Sequence, residues 1–213
     1  MEGFAEGYKF FEEVAGSTFA AQLGDGYIQN INKEIDGLIK NLNAFQGFAT
    51  QSEQLKGDIA EFWHAGTFNI DAVVKGAAHR ATVDRSHDFA SVDISTNFGK
   101  NYGSKYYKNG QESAKAQAKI YQECYKEYQA KGGTGSYEDF LRDRGKGYVD
   151  SNTPIYAEQF RLISSDQMEE AKAWLTRKIN EESSKRPELV ERYRNTLKML
   201  ESKIEDGKGV SSF

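Results

Sequence analysis

Cysteine, proline, long apolar runs and an excess of positive charge are all scarce in this chain, and each scarcity narrows the reading. The single cysteine, Cys124, rules out an intramolecular disulfide framework and fits a reducing compartment. No apolar run approaches the roughly 20 residues that span a bilayer. The opening Met1-Glu2-Gly3-Phe4-Ala5-Glu6 is acidic where a secretory signal is basic. A cytoplasmic location is expected. Only 2 prolines occur, and no fixed-period repeat, low-complexity tract or interdomain linker is visible. With 28 Lys and Arg against 32 Asp and Glu, the net charge is −4. That balance counts against a protein that coats nucleic acid. It leaves room for a nuclease, whose acids hold metal and whose basic groups are confined to one groove.

What is present is a polar, aromatic-rich composition, 13% Phe, Trp and Tyr, in 213 residues, enough for one core with a helical extension. Phe4, Tyr8, Phe11 and Val14 recur at helical spacing, and Ile28, Ile31, Ile35, Leu38, Ile39 and Leu42 form a second stripe. Thr50 with Glu53 predicts a capping box for a third helix through Leu55, Ile59, Phe62 and Trp63, bent or broken near Gly66 and Asn69. After Gly76 the texture changes. Segments 79–85, 89–96 and 102–108 are short, rich in Val, Ile, Thr and Tyr, and read as strands. A helix is expected over 111–130, a short one capped by Ser136, then a strand over 159–163. Two helices should finish the chain. The last opens at Pro187 and carries Leu189, Tyr193, Leu197, Leu200 and Ile204 up to Gly207. The expected organisation is a helical region over 1–49, a mixed α/β core over 50–165 and a helical pair over 166–213.

Three residues in that order suggest chemistry. Glu61 falls on a helix, Asp93 inside a strand and Lys105 inside the next strand. Alternate strand residues share a face, so Asp93 opposes Val92 and Ile94, and Lys105 shares its side with Gly103 and Tyr107. Phosphodiester hydrolysis is helped by a metal that offsets phosphate charge and activates water. Magnesium prefers carboxylate oxygens, and a neighbouring lysine can stabilise the developing charge. The aspartate wants a reason in any case, being unfavourable inside a strand. A strand-end turn for Asp93, a solvated Glu61 and a snorkelling Lys105 are the plainer readings.

In this arrangement the chain resembles the PD-(D/E)XK, or restriction-endonuclease-like, nuclease superfamily, over roughly Lys56 to Ser165. That family's core runs helix, three strands, helix, strand. Its first helix often carries Gly-x-x-x-Glu, matched by Gly57 and Glu61; its second strand supplies a metal-binding aspartate, matched by Asp93. Its third strand supplies Glu-x-Lys, where Lys105 matches the lysine but Gly103 stands where the acid belongs. Gln117 and Tyr121 match the Gln-x-x-x-Tyr of one branch. The resemblance implies a DNA endonuclease using Mg²⁺ or Mn²⁺. Asp93 and Glu61 would hold the metal, with Lys105 catalytic and Gln117 and Tyr121 supporting the site or touching the DNA. The missing carboxylate would have to come from Glu61 or Glu112, with the Ser104 hydroxyl a poor substitute. The blocks Trp63–Asn69 and Ser104–Lys108 also resemble uncharacterised bacterial proteins of mobile elements, which suggests an origin in a mobile element or defence system.

Two other readings stay open. His64, His79 and His87, with Asp84 and Asp88, could bind zinc or manganese, though in no compact ligand spacing; His87 could also act as a general base beside Asp93. Alternatively the protein is a non-catalytic DNA-binding or interaction protein, its terminal helices docking a partner or a second copy. Cys124, mid-helix and far from any His in sequence, reads as a core residue.

Overall fold

In the computed structural model of this chain, residues 25–45, 52–86 and 88–212 are described. The helix expected between Phe4 and Val14, the Thr50/Glu53 cap and His87 lie outside the described positions. The fold is mixed α/β, with seven α-helices and one five-stranded mixed sheet among the described residues. Helices α1 (Asp25–Ala44) and α2 (Ser52–Val74) come first. Strands β1 (Ala81–Val83), β2 (Ile94–Thr96) and β3 (Asn101–Ser104) follow. Helices α3 (Gly110–Gln117), α4 (Tyr121–Ala130) and α5 (Tyr137–Arg142) lead to β4 (Phe160–Leu162). A 3₁₀ turn (Ser165–Gln167), α6 (Met168–Glu182), α7 (Pro187–Met199) and β5 (Leu200–Glu201) complete the order.

The sheet runs β1-β2-β3-β4-β5 in space. The first three strands form an antiparallel meander; β4 joins β3 in parallel, Tyr102 opposite Phe160, and β5 joins β4 in parallel, Arg161 opposite Leu200. Parallel neighbours need long crossovers, and the helices α3 to α5 and α6 to α7 provide them. One face packs on α2, with Ala65, Phe68 and Ala72 against Ala81, Ile94, Tyr102, Leu162 and Ile204. Ile163, next to Leu162, belongs to a separate cluster with Ala114, Ala171, Trp174, Leu175 and Leu200, as alternation along a strand requires. A third, aromatic cluster joins α4 and α5 through Tyr121, Cys124, Phe140 and Ile155. Cys124 is buried there, as expected.

Four expectations need correction. Helix α2 does not break at Gly66 or Asn69 but runs on to Val74. A side chain at Gly66 would lie 2.6 Å from Leu38 Cδ1, so the glycine sets the close approach of α1. Asn69 Oδ1 accepts from the Ala81 amide and its Nδ2 donates to the Ala81 carbonyl, which ties β1 at the sheet edge to the helix. Tertiary contacts outweigh the weak propensities of both residues.

The helix expected over 111–130 is two helices. Ile120 pairs with Pro154 in an isolated bridge, and the Tyr121 amide donates to Thr153 O instead of a helical carbonyl. Gln117 therefore ends α3 and Tyr121 begins α4. At the end of the chain α7 stops at Met199, because Leu200 and Glu201 pair with β4 and Ile204 enters the α2-facing core. Leu200 and Ile204 thus leave the helical stripe. The expected strands exist but are shorter than their apolar segments, and Asp93 and Lys105 flank β2 and β3 instead of lying within them.

Candidate active site at the acid–lysine pair

Antiparallel pairing of β2 with β3 brings the start of one strand to the end of the other. Asp93 immediately precedes β2 and Lys105 immediately follows β3, so the register alone places them together. The Lys105 ammonium donates to Asp93 Oδ2 at 2.8 Å, and the Ser104 amide donates to the same oxygen at 2.6 Å. Lys105 Nζ also donates to Ser104 O at 2.7 Å and lies 4.9 Å from the centre of the Tyr156 ring. The Asp93 amide donates to Tyr102 O while its carbonyl accepts from the Asp84 amide, on the opposite neighbour. A regular strand residue directs both groups to one side, so the chain kinks here in the manner of a β-bulge. Just upstream, Ala90 holds a left-handed φ of 56°, a conformation that costs energy in a non-glycine residue.

Glu61, on α2, is near enough to this pair for its charge and theirs to influence one another. Its carboxylate lies 3.6 Å from Arg85 Nη1, which also donates to Asp58 Oδ1 at 3.0 Å. Arg85 is held between Phe45 and Phe62, 5.3 and 5.4 Å from the ring centres. Burial, with the charge of Asp93 adding to it, pushes the Glu61 carboxyl up to about 8, although Lys105 and Arg85 pull the other way. Burial alone would lower Lys105, but Tyr156, Asp93 and Glu61 outweigh it and hold the ammonium above its ordinary range. Burial also pushes the Tyr156 phenol up, with Lys105 opposing. The arrangement is two acids crowded in a poorly solvated place, with one firmly charged lysine between them and the aromatic cluster.

The other expected residues divide. Gln117 is fully buried; its Nε2 donates to Gly103 O at 2.9 Å and Leu162 O at 3.3 Å, which fastens β3 to β4 behind the pair. Tyr121 belongs to the aromatic cluster, 5.7 Å from Phe89. Ser104 is buried, and its hydroxyl has no hydrogen-bond partner among the described residues. Glu112 stands in the first turn of α3, its amide capped by Asn109. His64 lies buried between the Tyr106 and Ser211 hydroxyls, and His79 bonds Asp206; His87 is outside the described residues. Among the described residues no group of three or more His, Cys, Asp or Glu is gathered to hold a metal.

Arg85, Tyr156 and Gln159 were not foreseen. Arg85 ends an expected strand, and only its neighbours in space give it a role. Gly103 was the available signal for the other two. A Cβ there would meet Gln159 Oε1 at 2.7 Å and Tyr156 Cδ1 at 3.3 Å, so the position of the missing acid is already filled. A cavity of about 890 Å³ opens alongside, between α1, α2 and β1, lined by Asn41, Phe45, Asp58, Phe62 and Arg85 among others. Asp93 and Lys105 do not line it; each side chain is about 19% exposed.

Compared with known proteins, the chain matches no family model, no curated protein and no solved structure. No helix among the described residues is long and apolar enough to cross a membrane.

Proposed function

We propose that this protein is a metal-dependent DNA endonuclease with a restriction-endonuclease-like core. The observation that carries the reading is the 2.8 Å pair of Lys105 and Asp93, within whose electrostatic reach the buried Glu61 lies. The element order supports it: α2, an antiparallel meander β1-β2-β3, a helical crossover, then β4 parallel to β3. Two carboxylates fit magnesium or manganese, since such ions are often held by one or two acids plus water and phosphate oxygens. Asp93 and Glu61 would hold the ion. When bound it would offset phosphate charge and lower the pKa of a water. Asp93 is oriented for this by the Ser104 amide and Lys105. Glu61, with its proton held to about pH 8, gains most from a cation that replaces that proton. The Lys105 ammonium, kept charged, can turn from Asp93 to a phosphate oxygen as charge develops there.

The test is incubation of plasmid and linear DNA with the protein and Mg²⁺ or Mn²⁺, beside Asp93→Ala and Lys105→Ala. Cleavage by the wild type and its loss by at least about a hundredfold in both variants is expected, since each removes a group acting directly on the reacting phosphate. A wild type that cuts nothing, or variants that cut as well, ends the assignment.

A second reading is a non-catalytic DNA-binding or interaction protein on the same fold, in which the site is a relic. The glycine at 103 and the net charge of −4 favour it. The terminal helices are less free to dock a partner or a second copy than the sequence suggests. Tyr193 packs edge-on to Trp174 at 5.6 Å, and Leu197 packs on the same cluster. DNA binding without cleavage in the same assay would select this reading.

A further inference from the structure

The side-chain amide of Gln159 has its nitrogen toward two carbonyls, while its oxygen meets no hydrogen-bond donor among the described residues. Nε2 faces Ala90 O at 3.5 Å and Ser91 O at 3.4 Å. Only the NH₂ end of an amide can serve two acceptors, which fixes the direction of Oε1. That oxygen is buried in a residue only 6% exposed and has no hydrogen-bond partner among the described residues. An unsatisfied buried acceptor is costly, about 1–3 kcal/mol, and calls for an explanation.

Its location supplies one. Oε1 occupies the space into which a side chain at residue 103 would project, 2.7 Å from where the Cβ would stand. Gly103 precedes Ser104, whose amide binds Asp93 Oδ2, and lies two residues from Lys105. The Tyr156 ring that flanks this space is the one over which the Lys105 ammonium lies. The strained turn at Ala90, which presents the two carbonyls, leads directly into Asp93. Strained turn, amide and glycine thus all adjoin segments that hold the Asp93–Lys105 pair.

We propose that Gln159 Oε1 is the third oxygen of a divalent-cation site whose other two donors are Asp93 and Glu61, replacing in kind the acid that Gly103 cannot carry. An amide oxygen is a hard neutral donor that Mg²⁺ and Mn²⁺ accept alongside carboxylates. The substitution removes one negative charge from the donor set, so the site binds its ion more weakly than three acids would. It also explains why residue 103 is glycine: any side chain would displace the amide. The inference rests on the nuclease reading for the ion's use, not for its binding.

Titration with Mn²⁺ by calorimetry, with electron paramagnetic resonance of the bound ion as a second readout, tests it. Thermal melts confirm that each variant is folded. The wild type is expected to bind one Mn²⁺, Asp93→Asn to lose it, and Gln159→Met to weaken it at least about tenfold, in line with loss of one donor. A wild type that binds no Mn²⁺, or a folded Gln159→Met that binds as the wild type does, overturns the proposal. Binding in the expected pattern with DNA left intact would sink the nuclease reading and leave the site standing. Cleavage by a Gln159→Met protein that also binds Mn²⁺ normally would do the reverse.

Discussion

Lys105 and Asp93 are fixed to one another from both ends. The ammonium meets Oδ2 at 2.8 Å, and the amide immediately before the lysine, that of Ser104, meets the same oxygen at 2.6 Å. Each side chain is about four-fifths buried, so neither charge is well compensated by water if the other is removed. Asp93→Asn and Lys105→Met should therefore each cost roughly 3 kcal/mol in urea unfolding. The double variant should cost less than their sum by about 1–3 kcal/mol. Costs that simply add would mean the two charges are solvated independently, contrary to the geometry.

Glu61 gives the metal-free protein a pH-dependent weakness. Its carboxyl releases a proton near 4.5 when unfolded and near 8 when folded, because burial and Asp93 oppose its ionisation. Between those values the folded state holds the extra proton. Stability linked to Glu61 is thus full below about pH 4.5 and declines as pH rises toward 8. At about 1.4 kcal/mol per tenfold change in proton affinity, the decline is on the order of a few kcal/mol. In chelator, Glu61→Gln should be more stable than the wild type at pH 8 and nearly equal to it at pH 4.5. If its melting temperature at pH 8 is not raised, Glu61 is ionised there at no cost.

The acid–lysine pair was legible because it needs only strand order and residue type: a hairpin joins the start of β2 to the end of β3 whatever surrounds them. Glu61 was legible through its place on the preceding helix. The break between α3 and α4 was not, since Ala118-Lys119-Ile120 are tolerable helix residues and the cause, pairing with Pro154 and Thr153, lies more than 30 residues away. For the same reason β5 was hidden: Leu200 continues the apolar stripe of α7, and only the vacant edge of β4 draws it into the sheet. Gln159 sits at the end of a loop with no spacing to mark it. Gly103 is its sole trace, and in the sequence it looks like a gap because the side chain that fills it comes from the loop before β4.

His64 imposes the opposite slope. Burial between Tyr106 and Ser211 pushes its pKa down to about 4, against 6.5 for an ordinary imidazole. Above pH 6.5 both states are neutral and stability is full. As pH falls toward 4 the unfolded chain takes up a proton that the folded one refuses, and roughly 3 kcal/mol is lost. The Glu61 and His64 slopes cancel in part between pH 4.5 and 6.5, so His64 is best measured in the Glu61→Gln background. There, stability should fall steadily on acidification from pH 7 to 4.5, and His64→Gln should flatten that fall. An unchanged slope would place the titration elsewhere.

Gly103 makes a prediction against the simplest engineering idea, that adding an acid at this position completes the site. The Cβ alone would press on Gln159 Oε1 at 2.7 Å and on the Tyr156 ring at 3.3 Å. The Lys105 ammonium lies over the Tyr156 ring, and Gln159 is buried. Gly103→Ala should therefore destabilise by about 1–3 kcal/mol, the usual range for overpacking. Gly103→Glu should fare no better. Truncating the obstruction in the same chain, as Gly103→Ala with Gln159→Ala, should recover most of the loss, because the clash is with that one side chain. Urea unfolding of the two single variants and the double decides it. If Gln159→Ala restores nothing, the strain lies in the Tyr156 ring or the backbone of β3, and the amide is not what keeps residue 103 a glycine.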